Sequence, residues 1–115
     1  MRGQTAETLL HLPVRIRGIQ LGWPVDLILD AQGDRAIGLD VLCTDDAHRF
    51  LPLAAAEVRE DEISVSSALL LLTDVELAFY RARGSTLRGR GLLDAVLGED
   101  WRIDALVAEE SAPAA

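Results

Sequence analysis

The chain has 115 residues, room for one domain, and half of them are hydrophobic, as in a chain that buries a core. Nineteen acidic residues against eleven basic ones leave a formal charge of −8, which disfavours direct binding to nucleic acid because phosphate is repelled and no counterion release is gained. The single cysteine, Cys43, excludes an internal disulfide, and the longest apolar run, Ala68 to Leu72, falls far short of the roughly 20 residues needed to cross a bilayer.

Residues 1–11 carry no apolar stretch of the kind that marks a signal peptide. They read as an N-terminal extension of a cytoplasmic protein. From Leu12 to Arg17 the pattern has period two, with Val14 and Ile16 on one face and Arg15 and Arg17 on the other, as in a half-buried strand. A second strand covers Val25 to Asp30, with Val25, Leu27 and Leu29 sharing a face. The turn Ala31-Gln32-Gly33-Asp34 follows, and then Ile37, Leu39, Val41 and Cys43 line up with Gly38 and Asp40 opposite. Two such runs across a short glycine-containing turn predict an antiparallel hairpin. After a second turn at Thr44 to Ala47, His48 to Leu53 is a short strand, and Pro52 places it at an edge or bulge. Ala54 to Val58 forms a brief helical or bulged turn. Glu60-Asp61 turns the chain again before Ile63 and Val65 alternate with Ser64 and Ser66. Five short strands at this spacing predict a small antiparallel barrel over residues 12–67, since closure removes exposed edges. Only five aromatics occur, Trp23, Phe50, Phe79, Tyr80 and Trp101, so the core is aliphatic.

Within residues 68–91 the period changes. Thr73-Asp74-Val75-Glu76 has the form of a capping box, and acids at the start with Arg81 and Arg83 at the end suit the helix dipole. A short helix is expected from Asp74 to Arg83, closed by Gly84, with Val75, Ala78, Phe79 and Ala82 on one face. Beyond it lies a glycine-punctuated basic link. Residues 92–108 read as a second hairpin, from Leu92 to Leu97 and Trp101 to Val107, a candidate shortened repeat of the first. Its apolar face must pack against something, either the barrel of its own chain or a second molecule. Residues 109–115 are Ala, Ser, Pro and acid, and are expected to be a disordered tail.

Several of these segments match a known pattern. Gly22-Trp23-Pro24-Val25-Asp26-Leu27-Ile28-Leu29-Asp30, Arg35-Ala36-Ile37-Gly38-Leu39-Asp40-Val41, Phe50-Leu51-Pro52-Leu53 and Glu60-Asp61-Glu62-Ile63-Ser64-Val65 together resemble the PRC-barrel domain. That domain occurs in the cytoplasmic part of the photosynthetic reaction-centre H subunit and in the C-terminal half of a bacterial ribosome maturation factor. The resemblance covers about half the chain, Leu12 to Ser66. Trp23-Pro24 departs from the family, which has a small residue and a basic one there. The family shares no catalytic residues, so none is carried over. The resemblance implies a barrel used for protein association.

The residues themselves give catalysis no foothold. Asp26, Asp30 and Asp34 are spaced by four, but a calcium loop read from Asp30 would have Arg35 at its sixth position and Val41 at its twelfth, where glycine and glutamate are needed. His11 and His48 are the only histidines, and no cysteine pair accompanies them, so a zinc site lacks ligands. No Gly-x-Ser-x-Gly and no glycine-rich phosphate loop occur. No enzyme activity, cofactor or metal is expected. Cys43 falls on the inward face of a strand, as a small hydrophobe. One feature opposes the global charge: Arg81, Arg83, Arg88 and Arg90 lie together with no acid among them, whereas 21–66 holds ten acids and three bases. This stretch either neutralises its own acidic barrel or forms a patch for an acidic protein, a phosphate or RNA. The candidate partner-binding residues are Phe79, Tyr80, Arg81, Arg83, Arg88, Arg90, Trp101 and Ile103. The expected function is a non-catalytic protein-interaction module that docks a partner or itself, with a homodimer slightly favoured. The alternatives are a ribosome-assembly or RNA-processing accessory factor that holds a basic ribosomal protein, and a role in a photosynthetic or other membrane complex.

Overall fold

The computed structural model describes residues 5–67, 70–91, 95–98 and 101–103. In chain order the elements are α1 (Ala6–Leu10), β1 (Val14–Ile16), β2 (Ile19–Leu29), β3 (Ala36–Cys43), β4 (His48–Pro52), a 3₁₀ turn (Leu53–Ala55), β5 (Ala56–Val58), β6 (Ile63–Val65), α2 (Asp74–Arg83) and β7 (Ser85–Thr86). The fold is mainly β. The strands form a single sheet in the order β4-β3-β2-β1-β6-β5, with β7 on the far half of β2.

The order of the strands forces the sheet to curl. Laid flat, six strands would hold their outer edges about 24 Å apart. Yet the two outermost, β4 and β5, are joined by the three-residue turn Leu53–Ala55, and the chain from Pro52 to Ala56 spans at most about 14 Å. The result is a curled half-barrel. One expectation is corrected: the sheet is not wholly antiparallel, because β1 pairs with β6 in parallel, Val14 opposite Ile63 and Arg15 opposite Ser64.

The β2–β3 hairpin turns where the composition placed it. Asp30 Oδ1 accepts from the Gly33 N–H at 2.8 Å and the Asp34 N–H at 3.2 Å, and Gly33 takes φ 74°, open to glycine without strain. So the middle one of the evenly spaced acids is a turn cap here, and the first, Asp26, accepts through Oδ1 from the Leu27 and Arg88 N–H groups. Inside the curl, Leu27, Leu29, Leu39, Val41, Leu51, Ile63 and Val65 form an aliphatic core, with Cys43 at its margin. Ile37 does not line up with Leu39. A register shift between Ile28 and Leu29 leaves it unpaired in the ladder, and it packs on the outer face with Ile28 and Phe50.

Both sheet faces are therefore covered over part of their area. On the outer face α2 seats Leu77 against Ile28 and Phe50, and Tyr80 stacks on Phe50 at 4.5 Å between ring centroids. The four residues expected to share a face, Val75, Ala78, Phe79 and Ala82, do share one, and it is turned to solvent, while Leu77 and Tyr80 point in. The Phe50 ring on the sheet favours the inward stripe, because it gives Tyr80 an aromatic partner and Leu77 an apolar seat beside it. The capping box is also corrected. Thr73 is the N-cap residue, but its side chain makes no bond to the helix backbone; its hydroxyl donates to the Glu76 carboxylate. Gly84 ends the helix without a left-handed turn, at φ −121°, and is needed because a Cβ there would strike the Leu29 carbonyl.

The sequence gives no helix in residues 1–11, and the structure places α1 there. Thr5 caps it, Oγ1 accepting from the Thr8 N–H at 3.3 Å, and Ala6 and Leu9 are wholly buried in the main core. The C-terminal region returns to the same place. The Ala6 N–H donates to the Ala95 carbonyl at 3.0 Å, Thr5 bridges Val96, and Leu97 is fully buried. Trp101 is not a strand residue: it sits in a turn at φ 61°, and Leu97 pairs Ile103 across that turn as an isolated bridge. The rest of the expected second hairpin and the expected tail at 109–115 lie outside the described residues.

Candidate interaction surface

The outward stripe of α2 is the largest apolar feature left to water on this helix. Val75 is 72% exposed and Phe79 51% exposed, one turn apart. The Arg83 guanidinium lies over the Phe79 ring at 5.1 Å, a cation–π contact, and Phe79 meets Tyr80 edge to face at 5.2 Å. Tyr80 therefore anchors the helix, while Phe79 and Arg83 are presented. Arg81 is exposed and has no ion pair among the described residues.

The other expected partner-binding residues are not part of this stripe. Arg88 Nε donates to the Val25 carbonyl at 2.6 Å, and Arg90 Nη1 donates to the Gly33 carbonyl. Both fasten the loop after β7 to the β2–β3 hairpin, and Leu87 between helix and loop is fully buried. The basic stretch is thus divided by function: its second half staples the fold, and its first half lies on the helix. Trp101 and Ile103 are half-buried against the main core, and the Ile103 N–H donates to the Asp34 carbonyl at 2.8 Å. The described part of the C-terminal region packs on its own chain.

A second feature was not expected from the sequence. Asp40, placed with Gly38 on the outer face, is only 5% exposed, and its Oδ1 lies 2.7 Å from His48 Nδ1. The β3–β4 register brings this about. Leu42 faces His48 and Asp40 faces Phe50, so Asp40 and His48 are diagonal neighbours. Trp23 pairs with Leu42 in the same row and is 46% exposed. The signal was available only through the register of the hairpin, since a turn over Thr44 to Ala47 sets which residues become diagonal. An imidazole held by a buried carboxylate is one part of a hydrolytic triad. Among the described residues no group of three or more His, Cys, Asp or Glu side chains could hold a metal ion.

At the far end of β3 an open cleft of about 350 Å³ is lined by Leu21, Cys43, Thr44, Asp45, Arg49 and Leu71. Asp45 and Arg49 close a two-pronged ion pair there at 3.0 and 2.8 Å. The guanidinium hydrogen bond, with the Ala47 N–H behind it, holds the Asp45 carboxyl well below the usual carboxylate range, at about 2. The two charges in the cleft are matched within this pair.

Comparison with protein-family models and with curated proteins finds no match. No helix among the described residues is long and apolar enough to cross a membrane.

Proposed function

We propose that the chain is a cytoplasmic, non-catalytic protein-interaction module of the PRC-barrel type, docking through α2. One observation carries this reading: Val75 and Phe79 face water on a helix whose opposite side packs on the sheet through Leu77 and Tyr80. Exposed large apolar residues set among charged ones are a common mark of protein contact surfaces. The barrel is supported by the curled sheet, by the hairpin with its Asp30 turn cap, and by the Pro52 step into the 3₁₀ turn, all within the segments that resemble the family.

Replacing Val75 and Phe79 together by Asp tests the reading, because both are exposed and the fold does not depend on them. Native-cell isolates of tagged wild type and variant are compared, with thermal melts to verify folding. A partner, or the protein itself, that associates with wild type and is lost with the variant is the expected result. An unchanged set of associations removes the reading.

A second reading rests on the net charge of −8. An accessory factor that holds a basic ribosomal protein would use the acidic surface instead of α2. Its co-sedimentation with ribosomal subunits would fade with added salt and persist in the Val75/Phe79 variant.

A further inference from the structure

Helix α2 is complementary to itself. Around its circumference, at about 100° per residue, Val75, Ala78, Phe79 and Ala82 form the stripe turned away from the sheet. Glu76 and Arg83 border that stripe on one side, and Asp74 and Arg81 on the other. Each border thus carries an acid near the N-terminus and a base seven residues later.

We propose that the occupant of this face is a second copy of the chain, its α2 lying antiparallel across a two-fold axis between residues 78 and 79. This rests on the interaction-module reading and names its partner. Such an axis returns each border to itself with reversed direction. Glu76 then faces the partner's Arg83, and Asp74 faces the partner's Arg81, within about 3 Å of axial register. In the seam, Val75 meets the partner's Ala82 and Ala78 meets the partner's Phe79. The two alanines let the helix axes approach to about 8 Å. A parallel pairing is excluded by the same charges, because it sets Glu76 beside the partner's Asp74 and Arg83 beside the partner's Arg81. Thr73 holds the Glu76 carboxylate at the start of the helix, and Arg83 is already drawn onto the stripe by Phe79.

The contact is small. One face of a ten-residue helix is well below the roughly 800 Å² per partner of a stable complex. The dimer is therefore weak and reversible, and it weakens further in high salt, since its specificity is ionic.

Sedimentation equilibrium on the full chain, up to several hundred micromolar, measures the association. Two charge-reversed variants are compared with wild type: Asp74→Arg with Glu76→Arg, and Arg81→Glu with Arg83→Glu. Each alone should self-associate at least about tenfold more weakly than wild type, and an equimolar mixture should recover association. Reversing charges at the helix ends opposes the dipole, so circular dichroism checks that α2 persists. A second route keeps every native charge. Val75→Cys mixed with Ala82→Cys should cross-link under mild oxidation, and neither variant should do so alone. A wild type that stays monomeric throughout overturns the pairing, as does cross-linking by Val75→Cys alone. If self-association is absent while the Val75/Phe79 double variant still loses another protein, the pairing fails and the interaction-module reading stands. If that variant loses nothing, both fail.

Discussion

Asp45 and Arg49 span the β3–β4 turn, and their two-pronged ion pair shows how a single exposed contact leaves a trace in the pH dependence. The folded-state pKa of Asp45 lies at about 2, below its ordinary value of 3.8. Its contribution to stability is therefore complete above the ordinary value and is lost as pH falls through about 2. The Asp45 carboxyl should titrate near 2 by NMR, and Arg49→Gln should return it toward 3.8. A midpoint near the ordinary value in the intact protein would contradict the pairing. The Asp40–His48 contact is of a different kind, because one partner is buried. His48→Ala leaves the buried Asp40 carboxylate without its side-chain partner, which should cost about 1–3 kcal/mol. Chemical denaturation at neutral pH measures this, and an unchanged midpoint means that water reaches Asp40 without the imidazole.

At the scale of the element, α2 separates local signals from packing. Its ends follow the residues: acids in the first turn, arginines in the last, and Gly84 beyond. The hydroxyl of Thr73, however, bonds the Glu76 side chain and makes no cap bond to the backbone N–H groups of the first turn. A threonine cap that bonds the backbone is worth about 1 kcal/mol. Thr73→Ala should therefore cost clearly less than that, about 0.5 kcal/mol or below, the range of an exposed side-chain pair. A loss of a full kilocalorie or more in the denaturation midpoint would show that the hydroxyl caps the backbone in solution. The helix rotation, by contrast, is set from outside, by the Phe50 ring against which Tyr80 stacks.

At the scale of the whole molecule, α1 and residues 95–97, far apart in the chain, share one site. Helix α1 and the segment holding Ala95, Val96 and Leu97 close over the same core that the β2–β3 hairpin builds. Leu97 is fully buried there, so Leu97→Ala should destabilise the whole fold by about 2–5 kcal/mol. The melt should remain a single transition, because the segment belongs to the main core. A two-step melt, with an early loss of the contacts around Leu97, would show that α1 and residues 95–97 are an independent appendage.

The amino-acid sequence by itself determined the shared inward face of Leu27 and Leu29 and of Leu39, Val41 and Cys43, the Asp30–Gly33 turn, the edge position of the strand that carries Pro52 and the span of α2. Each of these depends on neighbours within a few residues, and there the period of hydrophobicity and the turn chemistry act directly. Tertiary structure alone decided the parallel β1–β6 pair, the burial of α1, the register that brings Asp40 to His48, and the division of the arginines between staple and surface. Of the candidate partner-binding residues, Phe79, Arg81 and Arg83 lie on the presented side of the helix, Tyr80, Trp101 and Ile103 pack on their own chain, and Arg88 and Arg90 are exposed but hydrogen-bond to backbone carbonyls. The physical reason is common to all of these. An aromatic ring or a guanidinium is equally suited to a core edge, a backbone carbonyl or a partner, and which of these it meets depends on contacts between residues distant in the chain. The curl of the sheet supplies those contacts.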